Sequence, residues 1–287
     1  MMEYINALEN MLLDLALVED MGFPWRDVTT DLLLPKDNKM YSANILSKHH
    51  EPAVICGISL IHAIFRKLTS QFAIHSDYRD GDYLEPQKTL LTIEAPAQVL
   101  LKCERVTLNF LRHLSGISTL TAKYVERVKG TRLKILDTRK TTPGLRALEK
   151  HAVHCGGGVN HRMGLYDAVM VKDTHIDALG GIEKTMQLLS AATLPKLPII
   201  IEVRSITELD AVLEKSQGKV TRVLLDNMSV DALKNCVSLC QGRVETEASG
   251  NIRLENILAI AKTGVDYASV GELTYNAGHV DLSLEIC

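Results

Sequence analysis

Between Asp137 and Arg162 the chain reads DTRKTTPGLRALEKHAVHCGGGVNHR, with five Lys/Arg, three His and a glycine triplet in 26 residues of a protein whose formal net charge is −3. With the chain slightly acidic as a whole, neither nucleic acid nor an anionic membrane is indicated as a bulk partner. The cluster must therefore serve something local and anionic. Arg139 and Arg162 offer planar forks that match carboxylates and phosphates, whereas Lys140 and, further on, Lys172 offer point charges. Two such lysines also permit a Schiff base, since neighbouring cations favour loss of the ammonium proton. His151, His154 and His161 do not fall at the spacing of a zinc motif. CGGGVNH lacks the spacing and the Lys-Ser/Thr of a Walker loop, so the glycines are read as a place where backbone passes close to a neighbour.

Beyond about 115 the pattern becomes regular. Apolar, β-rich runs (RLKILD, YDAVMV, PIIIEV, VTRVLLD, RVETEA, VDYASV) start near 132, 166, 198, 220, 243 and 265, with helical or irregular segments between them. Such alternation predicts parallel strands joined by crossovers. Each run ends in polar or small residues: Asp137-Thr138-Arg139-Lys140, Lys172-Asp173, Glu202, Asp226-Asn227, Glu247 and Gly271. Polar groups at the carboxyl ends of parallel strands mark the active-site edge of a barrel or open sheet. The expected cavity takes Arg139, Lys140, His161, Arg162 and Lys172 as cations, with Glu202, Asp226 and Glu247 as anions. Those carboxylates suit a divalent cation escorting phosphates, sugar hydroxyls or a developing positive charge. EASGN (247–251) and SVGEL (269–273) close the last two strands, where backbone N–H groups often hold a phosphate.

A closed eight-unit barrel takes about 250 residues, and the regular region, 115–274, has only about 160. The expectation is an α/β protein with an incomplete, open barrel of six to seven strands and a separate N-terminal α+β domain. That domain opens with a helix (about 3–18) carrying Ile5, Leu8, Leu12, Leu15 and Val18 at helical spacing. Strands are expected at 40–46 and 71–77, separated by the helical GISLIHAIFRKL, and at KTLLTIE. In the following helix, CERVTLNFLRHLSG, Cys103, Val106, Phe110, Leu111 and Leu114 form one stripe, opposite Arg105, Asn109 and Arg112.

Composition narrows the setting. Aromatic residues make up 5% of the chain, too few for a single-strand stacking platform. The acidic start lacks a signal-peptide pattern, and no apolar run approaches the roughly 20 residues that span a bilayer. Six scattered cysteines read as reduced thiols, with Cys236 and Cys240 on the packing face of a helix, and together these features suggest a cytoplasmic protein.

The segments LALVEDMG…DVTTD, ERVTLNFLRHLSGISTLT, LDTRKTTPGLRALEKHAVHCGGGVNHRMGLYDAVMVKDTHI, IEV, VLLDN, EASGNI and GVDYASVG resemble, over nearly the whole chain, the quinolinate phosphoribosyltransferases. The resemblance implies transfer of phosphoribose from phosphoribosyl pyrophosphate to quinolinate with decarboxylation, giving nicotinate mononucleotide in NAD biosynthesis. It implies an N-terminal α/β sandwich (1–114, completed by 275–287) and an open α/β barrel (115–274). It further implies a homodimer or multiple of one, Mg²⁺, and no membrane or nucleic-acid partner. Carried over by matching residue, Arg139, His161, Arg162 and Lys172 hold the two carboxylates, Lys140 lines the site, and Arg105 reaches into the neighbouring subunit's site. Glu202 and Asp226 lie near the ribose and Mg²⁺, while Ser249, Gly250, Asn251 and Gly271 belong to the 5′-phosphate loops. The chain departs from the family pattern in the longer MGFPWRDVTT and in Ile200, where a glutamate is common. It departs again at Asn251, in place of a second loop glycine, and after Gly271, at Glu272, Tyr275 and Asn276. The alternatives are a same-fold transferase with another acceptor such as nicotinate, a Schiff-base sugar-phosphate lyase, and a non-catalytic phosphate-metabolite sensor.

Overall fold

The computed structural model describes residues 2–34, 39–193 and 196–287. Its strands are β1 (Met40–Ser47), β2 (Ala53–Val54), β3 (Ala73–His75), β4 (Tyr83–Leu84), β5 (Thr89–Pro96), β6 (Lys134–Leu136), β7 (Val169–Val171), β8 (Ile199–Val203), β9 (Arg222–Asp226), β10 (Glu245–Ser249), β11 (Tyr267–Ser269) and β12 (Leu282–Ile286). They fall into two units: residues 1–122, 142–157 and 276–287 in the first, 123–141 and 158–275 in the second.

In the first unit four strands form an antiparallel sheet in the order β12-β1-β5-β3, and β2 pairs with β4. Ala43 and Ile45 of β1 and Ile93 and Ala95 of β5 are buried, as period-2 alternation requires. The helix Ile58–Leu68 adds Ile61, Ile64 and Phe65, one helical face, to the same core. The opening helix, Met2–Met21, buries Leu13, Leu17 and Met21. The Leu8, Leu15 and Val18 positions of the expected stripe are exposed instead, and the Ile5 side chain lies outside the described residues.

The stripe of Cys103, Val106, Leu111 and Leu114 is buried, and Arg105 and Asn109 are exposed, on a helix that runs from Ala97 to Arg127. It continues through Ser115 and Gly116, where the sequence pattern changes, because the small polar side chains there find hydrogen-bond partners within the unit. Ser118 Oγ donates to the Val54 carbonyl at 2.7 Å and Thr121 Oγ1 to that of Ile117 at 2.8 Å. A Cβ on Gly116 would lie 1.8 Å from the Gly278 carbonyl oxygen, so only glycine admits this approach.

The second unit is a six-stranded parallel sheet ordered β6-β11-β10-β9-β8-β7. β6 and β7, adjacent in the chain, sit at its two edges, so the barrel is open; Val159 adds one parallel bridge to Leu136. All five residues of β8 are buried, the mark of a strand covered on both faces. Ser205 and Ser229 cap the helices that follow β8 and β9, each hydroxyl accepting from a backbone N–H at 3.2 Å. Register aligns Asp226 with Ser249 and Ser249 with Ser269, so the polar strand ends gather on one edge. Cys236 and Cys240 are buried on the helix Val230–Cys240, as their spacing suggested. No described helix is long and apolar enough to cross a membrane.

Gly116→Ala is expected to destabilise the protein by about 1–3 kcal/mol through overpacking, whereas Gly278→Ala, whose Cβ meets nothing within 4 Å, should be near neutral. Urea midpoints of the two variants against the parent check this.

Candidate active site

A cavity of about 450 Å³ opens at the carboxyl edge of the second unit's sheet. It is lined by Arg139, Lys140, His161, Arg162, Lys172, Glu202, Asp226, Ser249, Gly250, Asn251 and Gly271, which sequence reasoning had selected. Arg105 is not among them; it lies exposed on the long helix of the first unit.

Two buried carboxylates build the cationic wall. Asp137, fully buried just past β6, accepts from Asn160 Nδ2 at 2.6 Å and from the His161 backbone N–H at 2.9 Å. It therefore ties the segment carrying Arg139 and Lys140 to the one carrying His161 and Arg162. Glu247, also fully buried, faces His161 Nε2 at 3.4 Å and Arg222 Nη1 at 3.1 Å, and accepts from the Ser269 hydroxyl. Burial pushes this carboxyl up, but His161, Ser269 and Arg222 outweigh it and hold it below the usual carboxylate range. His161 Nδ1 accepts from the Arg162 backbone N–H at 2.7 Å, which leaves Nε2 to carry the proton toward Glu247. Arg222 is itself seated 3.8 Å over the Tyr267 ring and bonded to Glu245 at 3.0 Å.

Arg162 reaches the Ala168 carbonyl through Nη1 at 3.3 Å, while its Nε is buried without a hydrogen-bond partner among the described residues. Burial, then the charge of Arg139, lowers its proton affinity below the ordinary arginine range. A desolvated guanidinium beside a second one is a site for an anion. On the opposite wall Glu202 is pushed up by burial and by Asp226 and Asp173, against the smaller pull of Lys172 and Arg204. Neighbouring carboxylates in this state call for positive charge.

The far end of the cavity is backbone-rich. Gly250 (φ +89°) and Asn251 (φ +52°) both take left-handed conformations after β10, so Asn251 is one of the few non-glycine residue types suited to its place. A Cβ on Gly250 would meet Asn227 Oδ1 at 2.1 Å, and Asn251 Nδ2 donates to that same oxygen at 3.1 Å. A Cβ on Gly271 would lie 2.7 Å from the Tyr275 ring. Ile200, where a glutamate was noted as common, is a buried strand residue.

Four positioning or lining residues went unselected from sequence. Asp137 and Asn227 were seen only as polar strand ends. Thr274 Oγ1 donates to the Lys140 carbonyl at 2.6 Å, a contact across 134 residues that no local pattern reveals. Arg253 lines the cavity as a further cation and pairs with Glu272 at 3.3 Å, while Glu272 also accepts from the Tyr124 hydroxyl. Its place just beyond the phosphate-loop glycine was the available signal.

Residues 27–115 match the family described as quinolinate phosphoribosyl transferase, N-terminal domain, and residues 117–285 match its C-terminal domain. The chain is 39% identical over 276 residues to a nicotinate-nucleotide pyrophosphorylase [carboxylating] of Mycobacterium leprae (strain TN), covering 94% of each. It is 38% identical over 290 residues to a chloroplastic enzyme of the same name from Arabidopsis thaliana, covering 96% of this chain and 82% of that one. Among solved structures, the nicotinate-nucleotide pyrophosphorylase from Francisella tularensis superposes with a TM-score of 0.90 at 34% identity, over 98% of this chain and 97% of the other.

Because the Glu202 carboxyl is raised, the folded protein holds its proton to higher pH than the unfolded chain does. Stability is therefore lost as pH rises from the ordinary glutamate range through the raised value. Glu202→Gln is expected to raise the melting temperature of the ligand-free protein at neutral pH, with the gain vanishing below about pH 4. Thermal unfolding across a pH series checks both parts.

Proposed function

We infer the work of the cavity from one premise: the chain belongs to the quinolinate phosphoribosyltransferase family. It transfers phosphoribose from phosphoribosyl pyrophosphate to quinolinate with loss of CO₂, giving nicotinate mononucleotide and pyrophosphate, a step toward NAD. The observation that supports the assignment of residues is the buried Nε of Arg162, without a hydrogen-bond partner among the described residues, in a wall of cations.

On this reading Arg139, His161, Arg162 and Lys172 grip the two carboxylates of quinolinate, with Lys140 beside them. The grip orients the ring nitrogen toward the ribosyl carbon, and no covalent nucleophile is required. As pyrophosphate leaves, the ribosyl centre gains oxocarbenium character. Glu202 and Asp226 stabilise it, and a carboxylate already disfavoured as an anion gains most when positive charge appears nearby. The new carbon–nitrogen bond makes the pyridine ring cationic, so the electron pair released as the 2-carboxylate leaves as CO₂ is held by the ring until a proton replaces it. Ser249, Gly250, Asn251 and Gly271 present backbone N–H groups to the 5′-phosphate.

Glu202 and Asp226 provide the hard oxygen donors that Mg²⁺ takes, and their mutual repulsion fits a divalent cation between them. When bound, Mg²⁺ neutralises the pyrophosphate leaving group. The assembly on this reading is a homodimer, or a multiple of one, with Arg105 completing the partner's cavity. Exposed Met11, Leu15, Leu32 and Leu33 in the same unit as Arg105 support an apolar contact surface. Six cysteines without a disulfide suit a cytoplasmic setting.

Carboxyl-labelled quinolinate with phosphoribosyl pyrophosphate should release labelled CO₂ in step with nicotinate mononucleotide; nicotinate consumed in its place would assign another acceptor. Arg162→Lys should raise the KM for quinolinate roughly ten- to a hundredfold, because a charge-assisted bond contributes about 1.5–3 kcal/mol.

Mixing inactive Arg105→Ala and Lys172→Ala chains under subunit exchange should restore roughly a quarter of wild-type activity, since half the dimers then hold one intact site. Mixed dimers as inactive as either parent would exclude sites shared between subunits.

A further inference from the structure

The middle of the stretch 137–162 belongs to the first unit and contributes no residue to the lining of the second unit's cavity. There Cys56, Asp80, His151 and Cys155 bring one donor atom each within 4.8 Å of one another. His151 and Cys155 are four residues apart on the helix Arg146–Cys155, hence on one face. Cys56 lies in the turn before the helix Ile58–Leu68, and Asp80 in the turn before β4. We propose that these four side chains form a zinc site.

Two of the donor separations already match the edges of a zinc tetrahedron. Zinc bonds of about 2.0–2.1 Å to nitrogen, 2.0–2.2 Å to oxygen and 2.3 Å to sulfur set edges of about 3.3 Å (nitrogen to oxygen) and 3.5 Å (nitrogen to sulfur). His151 Nε2 lies 3.2 Å from Asp80 Oδ2 and 3.5 Å from Cys155 Sγ. The supporting contacts point the donors inward. Asp80 Oδ1 accepts from the Gly57 and Ile58 backbone N–H groups at 3.0 Å each, so Oδ2 is the oxygen offered to a metal. The Cys56 backbone N–H is held by Ser115 Oγ at 3.1 Å. Cys56 is buried, Asp80 and Cys155 are half-buried and His151 is exposed, which closes the site on one side and leaves an entry on the other.

Two sulfurs and an imidazole select zinc over Mg²⁺ or Ca²⁺, so this site is chemically distinct from the oxygen donors Glu202 and Asp226. A bound ion would pin the helix Arg146–Cys155 to the turns before Ile58–Leu68 and β4. The chain on either side of that helix leads to Lys140 and to His161.

The test uses the full chain without a histidine tag, stripped by a chelator under reducing conditions and titrated with Zn²⁺ against a chromophoric chelator. Wild type is expected to bind one equivalent, undisturbed by excess Mg²⁺. His151→Ala and Cys155→Ala should each bind zinc at least about a hundredfold more weakly, more than the loss typical of a supporting contact. Cys287→Ala should bind as wild type. Co²⁺ in place of zinc should give thiolate-to-metal charge-transfer absorption that weakens in Cys155→Ala, and circular dichroism establishes that the variants fold. Any one of three results overturns the proposal: no zinc uptake by the stripped wild type, equal affinity in the folded His151→Ala and Cys155→Ala variants, or a Cys56–Cys155 disulfide that after reduction leaves a chain taking up no zinc.

Discussion

The cationic wall depends on buried carboxylates, and first on that of Asp137. Asp137 has no access to solvent, and a carboxylate so placed is tolerable only when its oxygens are occupied by donors. Two of those donors come from Asn160 and the His161 backbone. The chain therefore returns, after a loop, a helix and a glycine turn, to the strand end that it left. Arg139 and Lys140 on one side and His161 and Arg162 on the other are brought to one edge by this requirement. Glu247 repeats the device one layer further in, where His161 and Arg222 meet the same buried carboxyl. Negative charge inside the sheet thus positions positive charge at its rim.

The rim is where balance is withheld. Glu247 is satisfied and its carboxyl is held low, whereas the Glu202 carboxyl is held high and Arg162 keeps a buried N–H without an acceptor among the described residues. Both departures cost the ligand-free protein stability, and each is of the kind that an opposite charge relieves: an anion for the arginine, a positive charge for the acid. A site of like charges crowded on each wall is poor packing and good recognition.

How much of this could be read in the sequence followed the range of the interaction. Strand starts near 132, 198, 220, 243 and 265 lie within about three residues of the observed ones, because a buried parallel strand is written as a contiguous apolar run. The polar ends follow from the same runs, so the cavity lining was visible. Asn251 was legible too, since its left-handed backbone suits few other residue types. Contacts that join distant segments were not legible. Thr274 on the Lys140 carbonyl and Asn227 against Gly250 have no periodicity to reveal them. Apolar spacing on the opening helix marked a face that the first unit leaves exposed. Its core took Leu13, Leu17 and Met21 instead, since periodicity reports an apolar stripe and not what covers it.

Cys56, Asp80, His151 and Cys155 show the same limit from the side of chemistry. Spacing rules for metal sites describe ligands that one local motif delivers, and by that rule the three histidines at 151, 154 and 161 fail. The fold sorts them differently. His161 turns to Glu247 in the second unit, while His151 joins Cys155 one helical turn on and meets Cys56 and Asp80, contributed by turns far earlier in the chain. Gly156, next to Cys155, would put a Cβ 2.4 Å from the Ser118 carbonyl, so this glycine of the triplet serves close packing on the long helix. One basic, histidine-rich stretch therefore divides by neighbourhood. Its two ends line the cavity of the second unit, and its middle lies in the first unit at a junction whose donors are thiol, imidazole and carboxylate. Residue type alone could not separate the two, because the same histidine suits either. What decides is which partner the backbone brings within 3.5 Å of it.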